Sequence, residues 1–261
     1  MNRSVVVAVE EGIGTIAFDR PQVMNALDER MMIEFREAAE TLEHDAAVRC
    51  VVLEGRGKAF VAGGDVALFA ERIAELARII VSWGREMHFA IQSLRRMPKP
   101  VLASVHGAVA GAGFSIMCAA DLALAEQGTR FSLAYASIGA SPDGGSTHFL
   151  PRLVGMKRAM ELTMLPDLFD AATAQQLGLV NWVVPAAQRA SRTRELAHRL
   201  ANGPTIAYGE AKRLLNASSS RSIETQMEEE LFAFARCAAT ADLAEGVDAF
   251  VHKRAPAFTG R

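Results

Sequence analysis

The fold of this chain is decided by two glycine-rich stretches, FVAGGD at residues 60–65 and HGAVAGAGF at residues 106–114. Each follows a short, β-branched apolar run bounded by Gly or Pro, at residues 50–53 and 101–105, which is typical of a buried strand. The residues after each turn are typical of a helix. A glycine-rich bend between a strand and a helix leaves the first NH groups of the helix without internal acceptors. Both turns can therefore present backbone donors to an oxyanion or a phosphate, although either could be only a tight connection.

Neither turn has the spacing of a nucleotide-binding loop. The first lacks the GxGxxG pattern. The second contains Gly107, Gly111 and Gly113, but the Lys-Ser or Lys-Thr pair of a P-loop does not follow it. The two turns together instead favour small-molecule chemistry in which two backbone NH groups meet one oxygen atom.

The composition is that of a globular protein that binds small molecules. Half of the 261 residues are hydrophobic, and a chain of this length buries about three quarters of its unfolded surface. The net charge of −2 gives no general attraction to nucleic acid or to anionic membranes, so we expect neither as a partner. Cys50, Cys118 and Cys237 lie in apolar stretches without metal-ligand spacing, which predicts reduced core residues and no metal site.

No stretch of the sequence indicates export or membrane insertion. The first residues alternate like a β-hairpin with a turn at Glu11 and Gly12, and they lack the apolar core of a signal peptide. Charges or glycines interrupt every apolar run before the ~20 residues that a membrane span needs. We therefore expect a cytoplasmic protein.

Strand-like apolar runs alternate with helix-like segments, which predicts an α/β fold. One helix is predicted from Asp28, its N-cap, to Glu43, and a long charged helical segment interrupted by Gly84 is predicted at 65–96. From about residue 193 the pattern is only helical. We accordingly divide the chain into a core at residues 1–195 and a C-terminal helical region at residues 196–261. The predicted strands are 5–9, 14–18, 50–53, 101–105, 122–125 and 179–184.

Four further stretches, together with the two glycine turns, resemble the crotonase superfamily, also called the enoyl-CoA hydratase/isomerase family. They are DRPQVMNALD at 19–28, SIGASPDGGSTHFLPRLVG at 137–155, AQQLGLVNWVV at 174–184 and EGVDAFVHKRAPAF at 245–258. The resemblance covers nearly the whole chain. It implies a crotonase-like spiral of ββα units with a C-terminal helical trimerisation region, assembled as a homotrimer or a dimer of trimers. It also implies an acyl-CoA thioester as substrate, with no cofactor beyond the coenzyme A moiety of that substrate.

The resemblance assigns an oxyanion hole to the backbone NH groups of Ala62 and Ala112. Removing a proton beside a thioester moves negative charge onto the carbonyl oxygen, and preorganised donors stabilise that charge in the transition state. The family more often has glycine at the position of Ala112, but a backbone donor survives a change from Gly to Ala. Ala112 is also expected at a helix N-terminus, whose partial positive charge adds to the stabilisation.

The resemblance also shows that both glutamates of the hydratases are replaced, the first by Ser115 and the second by Tyr135. A hydratase uses that pair to place and activate water, so simple hydration of a 2-enoyl thioester is not expected. The remaining carboxylate is Asp143 in the SPDGGS turn, which we predict to be the catalytic base and to lie partly desolvated among Phe131, Tyr135 and Ile138. The alternative is an ordinary turn residue, since Asp is common in such turns.

A single base suits isomerisation, and the Asp143 and C-terminal segments look most like the isomerases of phenylacetate-type aromatic catabolism and the 3,2-enoyl-CoA isomerases. A second interpretation resembles the 4-chlorobenzoyl-CoA dehalogenases, in which the aspartate is a nucleophile. In that case His88 would activate water against the acyl-aryl intermediate, and Tyr135 would stand where those enzymes have Trp. His88 could equally be a packing residue of a helix, and the chain could be a non-catalytic acyl-CoA binder.

For the coenzyme the resemblance implies a path lined by Met24 and Ala26, with Gly64 and Asp65 nearby. Lys253 in the terminal helix would reach the coenzyme of a neighbouring subunit. The phosphates need cations and the adenine needs a slot lined by backbone, which these residues would provide.

Overall fold

The computed structural model describes residues 3–261 of the chain. In that range the strands are β1 Val5–Glu10, β2 Ile13–Phe18, β3 Cys50–Gly55, β4 Val101–Val105, β5 Ala108–Ala110, β6 Leu122–Glu126, β7 Arg130–Ser132, β8 Phe169–Asp170 and β9 Trp182–Val184. The α-helices are α1 Glu29–His44, α2 Val66–Glu71, α3 Leu76–Arg96, α4 Ala112–Ala119, α5 Ser146–Val154, α6 Met156–Met164, α7 Ala171–Gln176, α8 Ala186–Ala201, α9 Thr205–Ala217, α10 Ile223–Ala238 and α11 Ala241–Val251.

The strands form two sheets. The larger has the order β1-β2-β3-β4-β6-β9, in which β1 is antiparallel to β2 and each remaining pair is parallel. The smaller has the order β5-β7-β8, with β5 and β7 parallel. An isolated parallel bridge between Val61 and Val109 of β5 extends the smaller sheet by one position.

The chain alternates between the two sheets, and this alternation is the expected spiral. After β3 it reaches Val61 in the smaller sheet, after β4 it forms β5, and after β6 it forms β7; helices follow each step. Because Val61, β5 and β7 run parallel, their carboxyl ends meet at one edge of the smaller sheet. Three separate strand-to-helix turns therefore lie side by side at this edge. The alternation of the chain between the two sheets confirms the predicted crotonase-like α/β fold.

The core lies between the inner face of the larger sheet and helices α1, α3 and α4. Phe18 of β2 is fully buried there and makes edge-on contacts with Phe35 of α1 and Phe60, with ring centroids 5.1 and 5.6 Å apart. Alternate residues of β4 face this core because successive side chains of a strand point to opposite faces. Asp28 caps α1 as predicted, accepting a hydrogen bond from the NH of Met31.

Helix α8 covers the outer face of the larger sheet, so the predicted boundary at residue 195 falls inside an element of the core. Leu196 packs on Leu102 of β4 and Leu124 of β6, while Ala197 packs on β3 residues. The helix is continuous to Ala201. The apolar face of α8 buries the outer side of these strands.

Other sequence-based expectations need smaller corrections. The helical segment at 65–96 is divided into α2, a 3₁₀ turn at Ile73–Glu75 and α3, and Gly84 lies inside α3 without interrupting it. The strand predicted at 179–184 is only β9. All three cysteines are free; Cys50 and Cys118 are buried, whereas Cys237 is half-buried.

The C-terminal helices are tied to the core through Arg49 at the start of β3. Its guanidinium donates to the carbonyl oxygens of Gly203 and Phe258, at 2.6 and 3.2 Å. Asp242 in α11 accepts hydrogen bonds from the NH groups of Thr259 and Gly260, so the final residues fold back onto the chain. None of the helices in residues 3–261 is both long enough and apolar enough to cross a membrane.

Candidate active site

The candidate site lies at the edge of the smaller sheet where the two glycine turns pack against each other. Ala110 donates its NH to the carbonyl oxygen of Val61 at 3.1 Å. Gly111 has φ of +49°, and a Cβ there would lie 3.4 Å from the Cα of Gly63. A Cβ on Gly113 would collide with the carbonyl oxygen of Val61. The glycines of the second turn are therefore needed for its close approach to the first.

Ala112 is the first residue of α4, as predicted, and its NH points away from the helix. The N-cap residue Gly111 has no side chain with which to cap the helix. Among residues 3–261, no acceptor pairs with the NH of Ala112. An NH at the first position of a helix is an unsatisfied donor with a partial positive charge. It is available to an oxyanion.

The NH of Ala62 is not available, so the expectation for that residue is wrong. It donates to the carbonyl oxygen of Met24 at 3.1 Å. The NH of Leu27 donates to the carbonyl oxygen of Gly63 at 2.8 Å, and the carbonyl oxygen of Leu27 accepts from the NH of Asp65 at 3.0 Å. This pairing passes over the NH of Gly64, which has no acceptor in the described part of the chain. The NH groups of Gly64 and of Ala112, the first residue of α4, are therefore among the unpaired donors of the two turns.

The segment with Met24 and Ala26 runs beside the first turn, where coenzyme contacts are expected. Asn25 fixes it: the side chain is fully buried, its amide nitrogen donates to three carbonyl oxygens at 2.8–3.0 Å, and its oxygen accepts from the NH of Arg20. Arg20 also donates to the carbonyl oxygen of Ala26 at 2.6 Å. Met24 is exposed and has φ of +53°.

The other two residues expected at the coenzyme behave differently. The carboxylate of Asp65 caps α2 by accepting from the NH of Leu68 and forms an ion pair with Arg20 at 3.2 Å. It therefore has a structural role already. Lys253 follows α11, is exposed, and makes no ion pair within residues 3–261. The backbone NH of Lys253 donates to the carbonyl oxygen of Phe250, and its φ of +53° lies in the left-handed region.

Asp143 lies in a hydrogen-bond network with Ser115 and Tyr135, the two residues that we expect at the positions of the hydratase glutamates. The hydroxyl of Tyr135 donates to Oδ1 of Asp143 at 2.6 Å, and the Ser115 hydroxyl lies 3.1 Å from that of Tyr135. The Ser115 and Ser146 hydroxyls both donate to the backbone carbonyl of Asp143, at 2.9 and 3.0 Å. Oδ2 of Asp143 has no partner among the described residues. One carboxylate oxygen is thus held, and the other is free.

Tyr135 remains a hydrogen-bond donor at neutral pH. Burial, and then the negative charge of Asp143, raise the pKa of Tyr135 well above its usual value. A neutral phenol beside a carboxylate supplies its proton to the hydrogen bond without transferring it. The sequence predicts Tyr135 near Asp143, but it does not reveal this hydrogen bond, because the contact depends on the conformation of the 3₁₀ turn Tyr135–Ile138.

The expected apolar surroundings of Asp143 are only partly present. Phe131 is fully buried, but it stacks on Phe169 at 5.6 Å between ring centroids. Asp143 is half-buried, whereas Ile138 has 52% of its surface exposed and so covers less of the turn than expected. The 3₁₀ turn carries Ile138 outward after Tyr135 has turned inward.

His88 faces the Asp143 turn from α3. Its Nε2 accepts a hydrogen bond from the NH of Gly144 at 3.2 Å, so in this arrangement the proton of the neutral ring is on Nδ1. The rest of the side chain is exposed. A cavity of about 1070 Å³ opens beside it, lined by α3, α5 and α9 and including His88, Gly144 and Phe149. No three His, Cys, Asp or Glu side chains in residues 3–261 cluster as metal ligands.

Comparison with known proteins agrees with this fold. The family described as enoyl-CoA hydratase/isomerase matches residues 8–261, and the chain belongs to that family. It is 37% identical to a "probable enoyl-CoA hydratase" of Rhodobacter capsulatus, covering 97% of this chain and 96% of that protein. It is 32% identical to the 1,2-epoxyphenylacetyl-CoA isomerase of Escherichia coli, with both chains fully covered.

Two further similarities bear on the fold and on the chemistry. The solved structure of an enoyl-CoA hydratase from Polaromonas sp. JS666 superimposes with a TM-score of 0.93 at 32% identity, covering 98% of this chain and 99% of that one. A 4-chlorobenzoyl coenzyme A dehalogenase of Arthrobacter sp. is 35% identical over 85% of this chain and 80% of that protein. These relatives support membership of the enoyl-CoA hydratase/isomerase family, but they are named for three different reactions: hydration, isomerisation and dehalogenation.

Proposed function

We propose that this protein isomerises an enoyl-CoA or aromatic-derived acyl-CoA thioester with Asp143 as its single base. The observation that carries the proposal is the network around Asp143. Ser115 and Tyr135, which occupy the positions of the two hydratase glutamates, both make hydrogen bonds that hold this one carboxylate residue. The site thus offers one free carboxylate oxygen and two free backbone donors.

In this mechanism the thioester oxygen binds the NH groups of Gly64 and Ala112, with Gly64 replacing Ala62 as the donor of the first turn. For a 3-enoyl thioester, Oδ2 of Asp143 takes a proton from C2, and the electron pair of that C–H bond delocalises onto the thioester oxygen as a dienolate. Transfer of a proton from the Asp143 carboxyl to C4 reforms the carbonyl and leaves the double bond between C2 and C3; a carboxyl that exchanges with deuterated buffer in between delivers deuterium. The backbone donors stabilise the charge that develops in between.

Hydration is disfavoured because it needs a second group that ionises in the working range. The Ser115 hydroxyl does not ionise there, and the raised pKa of Tyr135 keeps its phenol neutral. Relatives named as hydratases make hydration of a 2-enoyl thioester a necessary comparison in any assay. We expect this chain to be inefficient at it.

The second candidate is hydrolytic dehalogenation of a 4-chlorobenzoyl-CoA-type thioester, with Asp143 as nucleophile and His88 as base. The observation in its favour is that His88 is hydrogen-bonded to the residue after Asp143. That same bond occupies Nε2, and a nitrogen that accepts from an NH cannot at the same time accept a proton from water. We therefore rank this reaction below isomerisation.

For the coenzyme and the assembly we propose that Met24 and Ala26 line the pantetheine path and that Lys253 acts across a subunit boundary. The assembly is supported by large exposed apolar side chains on the C-terminal helices, which are typical of a protein–protein contact. They are Met227, Leu231, Phe234, Phe250 and Val251. Size-exclusion chromatography with light scattering measures whether the protein is a homotrimer or a dimer of trimers.

The test follows a 3-enoyl thioester in deuterated buffer by ultraviolet absorbance and mass spectrometry. Asp143→Asn should lose conversion and deuterium exchange, since the amide keeps the shape and the hydrogen-bond acceptor but cannot take a proton. Asp167→Asn, at an exposed aspartate, is the matched control. Crotonyl-CoA and 4-chlorobenzoyl-CoA, the latter with halide detection, are assayed alongside.

Conversion by the wild type that Asp143→Asn alone loses supports the isomerase. Halide release from 4-chlorobenzoyl-CoA that depends on Asp143 would replace it with the dehalogenase. Acyl thioester binding without exchange of any proton would leave a non-catalytic binder and contradict both.

A further inference from the structure

We propose that Tyr135 is a positioning residue that selects Oδ2 of Asp143 as the only oxygen that takes and returns the substrate proton. This inference rests on the proposed function, because it concerns the base of that reaction. It adds a role for a residue that does not touch the reacting carbons. The geometry that carries it is the contact of 2.6 Å between the Tyr135 hydroxyl and Oδ1 of Asp143.

The carboxylate of Asp143 is held at two points. The phenol of Tyr135 fixes Oδ1, while the hydroxyls of Ser115 and Ser146 fix the backbone carbonyl of the same residue at 2.9 and 3.0 Å. With the backbone and one oxygen held, rotation of the carboxyl group is restricted. A base that must reach two carbon atoms of one substrate benefits from such preorganisation, because a misplaced group costs rate.

A count of hydrogen atoms shows why Oδ2 is the reactive oxygen. Tyr135 and Ser115 each have one hydroxyl hydrogen. The Tyr135 hydrogen is on the bond to Oδ1, and the Ser115 hydrogen is shared between the Asp143 carbonyl and the phenol oxygen. Oδ1 already accepts the Tyr135 hydrogen, whereas Oδ2 is unpaired within residues 3–261, so a proton taken from substrate goes to Oδ2 without displacing an existing hydrogen bond. Oδ1 continues to accept from Tyr135 when Oδ2 is protonated.

The phenol can do this only while it stays neutral, and its surroundings ensure that it does. Tyr135 is largely buried, and both burial and the charge of Asp143 raise its pKa. Two further titratable side chains lie near the Asp143 turn: His88 on α3, through Gly144, and His148 on α5, which lines the same cavity and whose pKa is lowered by burial. Helices α4 and α5 also donate the hydroxyls of Ser115 and Ser146 to the turn. A change in the pH profile can therefore arise from Asp143 or from either histidine.

The experiment measures kcat/KM for a 3-enoyl thioester against pH in the wild type and in Tyr135→Phe. The phenyl ring retains the packing and removes only the hydroxyl. The Tyr135 hydrogen bond favours the charged form of the base, so we expect its loss to move the acid limb of the profile to higher pH. We expect kcat on the plateau to fall about tenfold, since either oxygen can then face the substrate. A merely structural role would leave the acid limb in place.

Two controls assign the effect. The chain has two tyrosines, so Tyr208→Phe in α9 is the matched change away from the site and should leave the profile unmoved. The second control removes both histidines: His88→Gln keeps an acceptor for the Gly144 NH, and it is combined with His148→Gln. If the displacement caused by Tyr135→Phe persists in this background, it belongs to Asp143.

A measurement on the unaltered protein covers the case in which a variant does not fold. Tyrosine labelled with ¹³C at Cζ gives two signals, and Tyr208→Phe identifies the one from Tyr135. That signal should shift with the same midpoint as the acid limb of kcat/KM, and Asp143→Asn should abolish the shift. An unmoved acid limb in Tyr135→Phe, or a Tyr135 signal that ignores that midpoint, overturns the inference. Retained activity in Asp143→Asn overturns the proposed function itself.

Discussion

Replacing Ala112 with proline should remove one oxyanion donor and little else. Ala112 is the first residue of α4, a position where proline is favoured because its fixed φ suits the helix and its missing NH has no partner there. The preceding residue, Gly111, has no Cβ to meet the proline ring. The substitution therefore acts on the unpaired NH at the start of α4. By analogy with measured oxyanion holes, one donor contributes ~3 kcal/mol to the transition state, which corresponds to a fall in kcat of about 10²- to 10³-fold.

The assay is conversion of a 3-enoyl thioester, with KM and the free energy of unfolding measured on the same samples. Met156→Pro is the matched control, because Met156 also begins a helix, α6, directly after a glycine of positive φ, Gly155. Ala112→Gly keeps the donor and should keep most of the activity. If Ala112→Pro is folded and its kcat lies within tenfold of Met156→Pro, the NH of Ala112 does not stabilise the reaction, and the reasoning fails.

Three further predictions concern the framework of the site and the C-terminal helices. Asn25→Ala should lower the free energy of unfolding by about 3 kcal/mol, seen in urea titrations, because it leaves three carbonyl oxygens at the first turn without their donor. Gly107→Ala should cost more than Gly128→Ala in the same titrations: both glycines have positive φ, but only at Gly107 would the new Cβ collide with the carbonyl of Lys58, so equal losses would contradict this. Glu210 has its pKa lowered to about 2 by hydrogen bonds to two arginines, so its stabilisation is complete above the unfolded pKa of about 4.3 and is lost as the pH falls towards 2. Glu210→Gln should flatten that part of the curve of stability against pH.

The sequence determined the local elements and the class of the protein. The strand predicted at 101–105 is β4 residue for residue, and Asp28 caps α1 as its position indicated. These features follow from hydrophobic periodicity and from hydrogen bonds within a few residues, which the sequence displays directly. The three-residue strands β5 and β7 were not among the predicted strands, because so few residues show no periodicity of their own.

The tertiary structure decided which groups of the site are free to act. The NH of Ala62 is paired because Met24, from another segment, reaches it, whereas the NH of Gly64 is passed over by the same pairing. The phenol of Tyr135 meets Asp143 because one 3₁₀ turn brings it inward. Hydrogen bonds between distant segments depend on how the turns pack, and a list of residue types contains no such distances. The sequence determined that two glycine turns and one aspartate are present, and only the packing of the spiral determined which of their atoms remain unpaired.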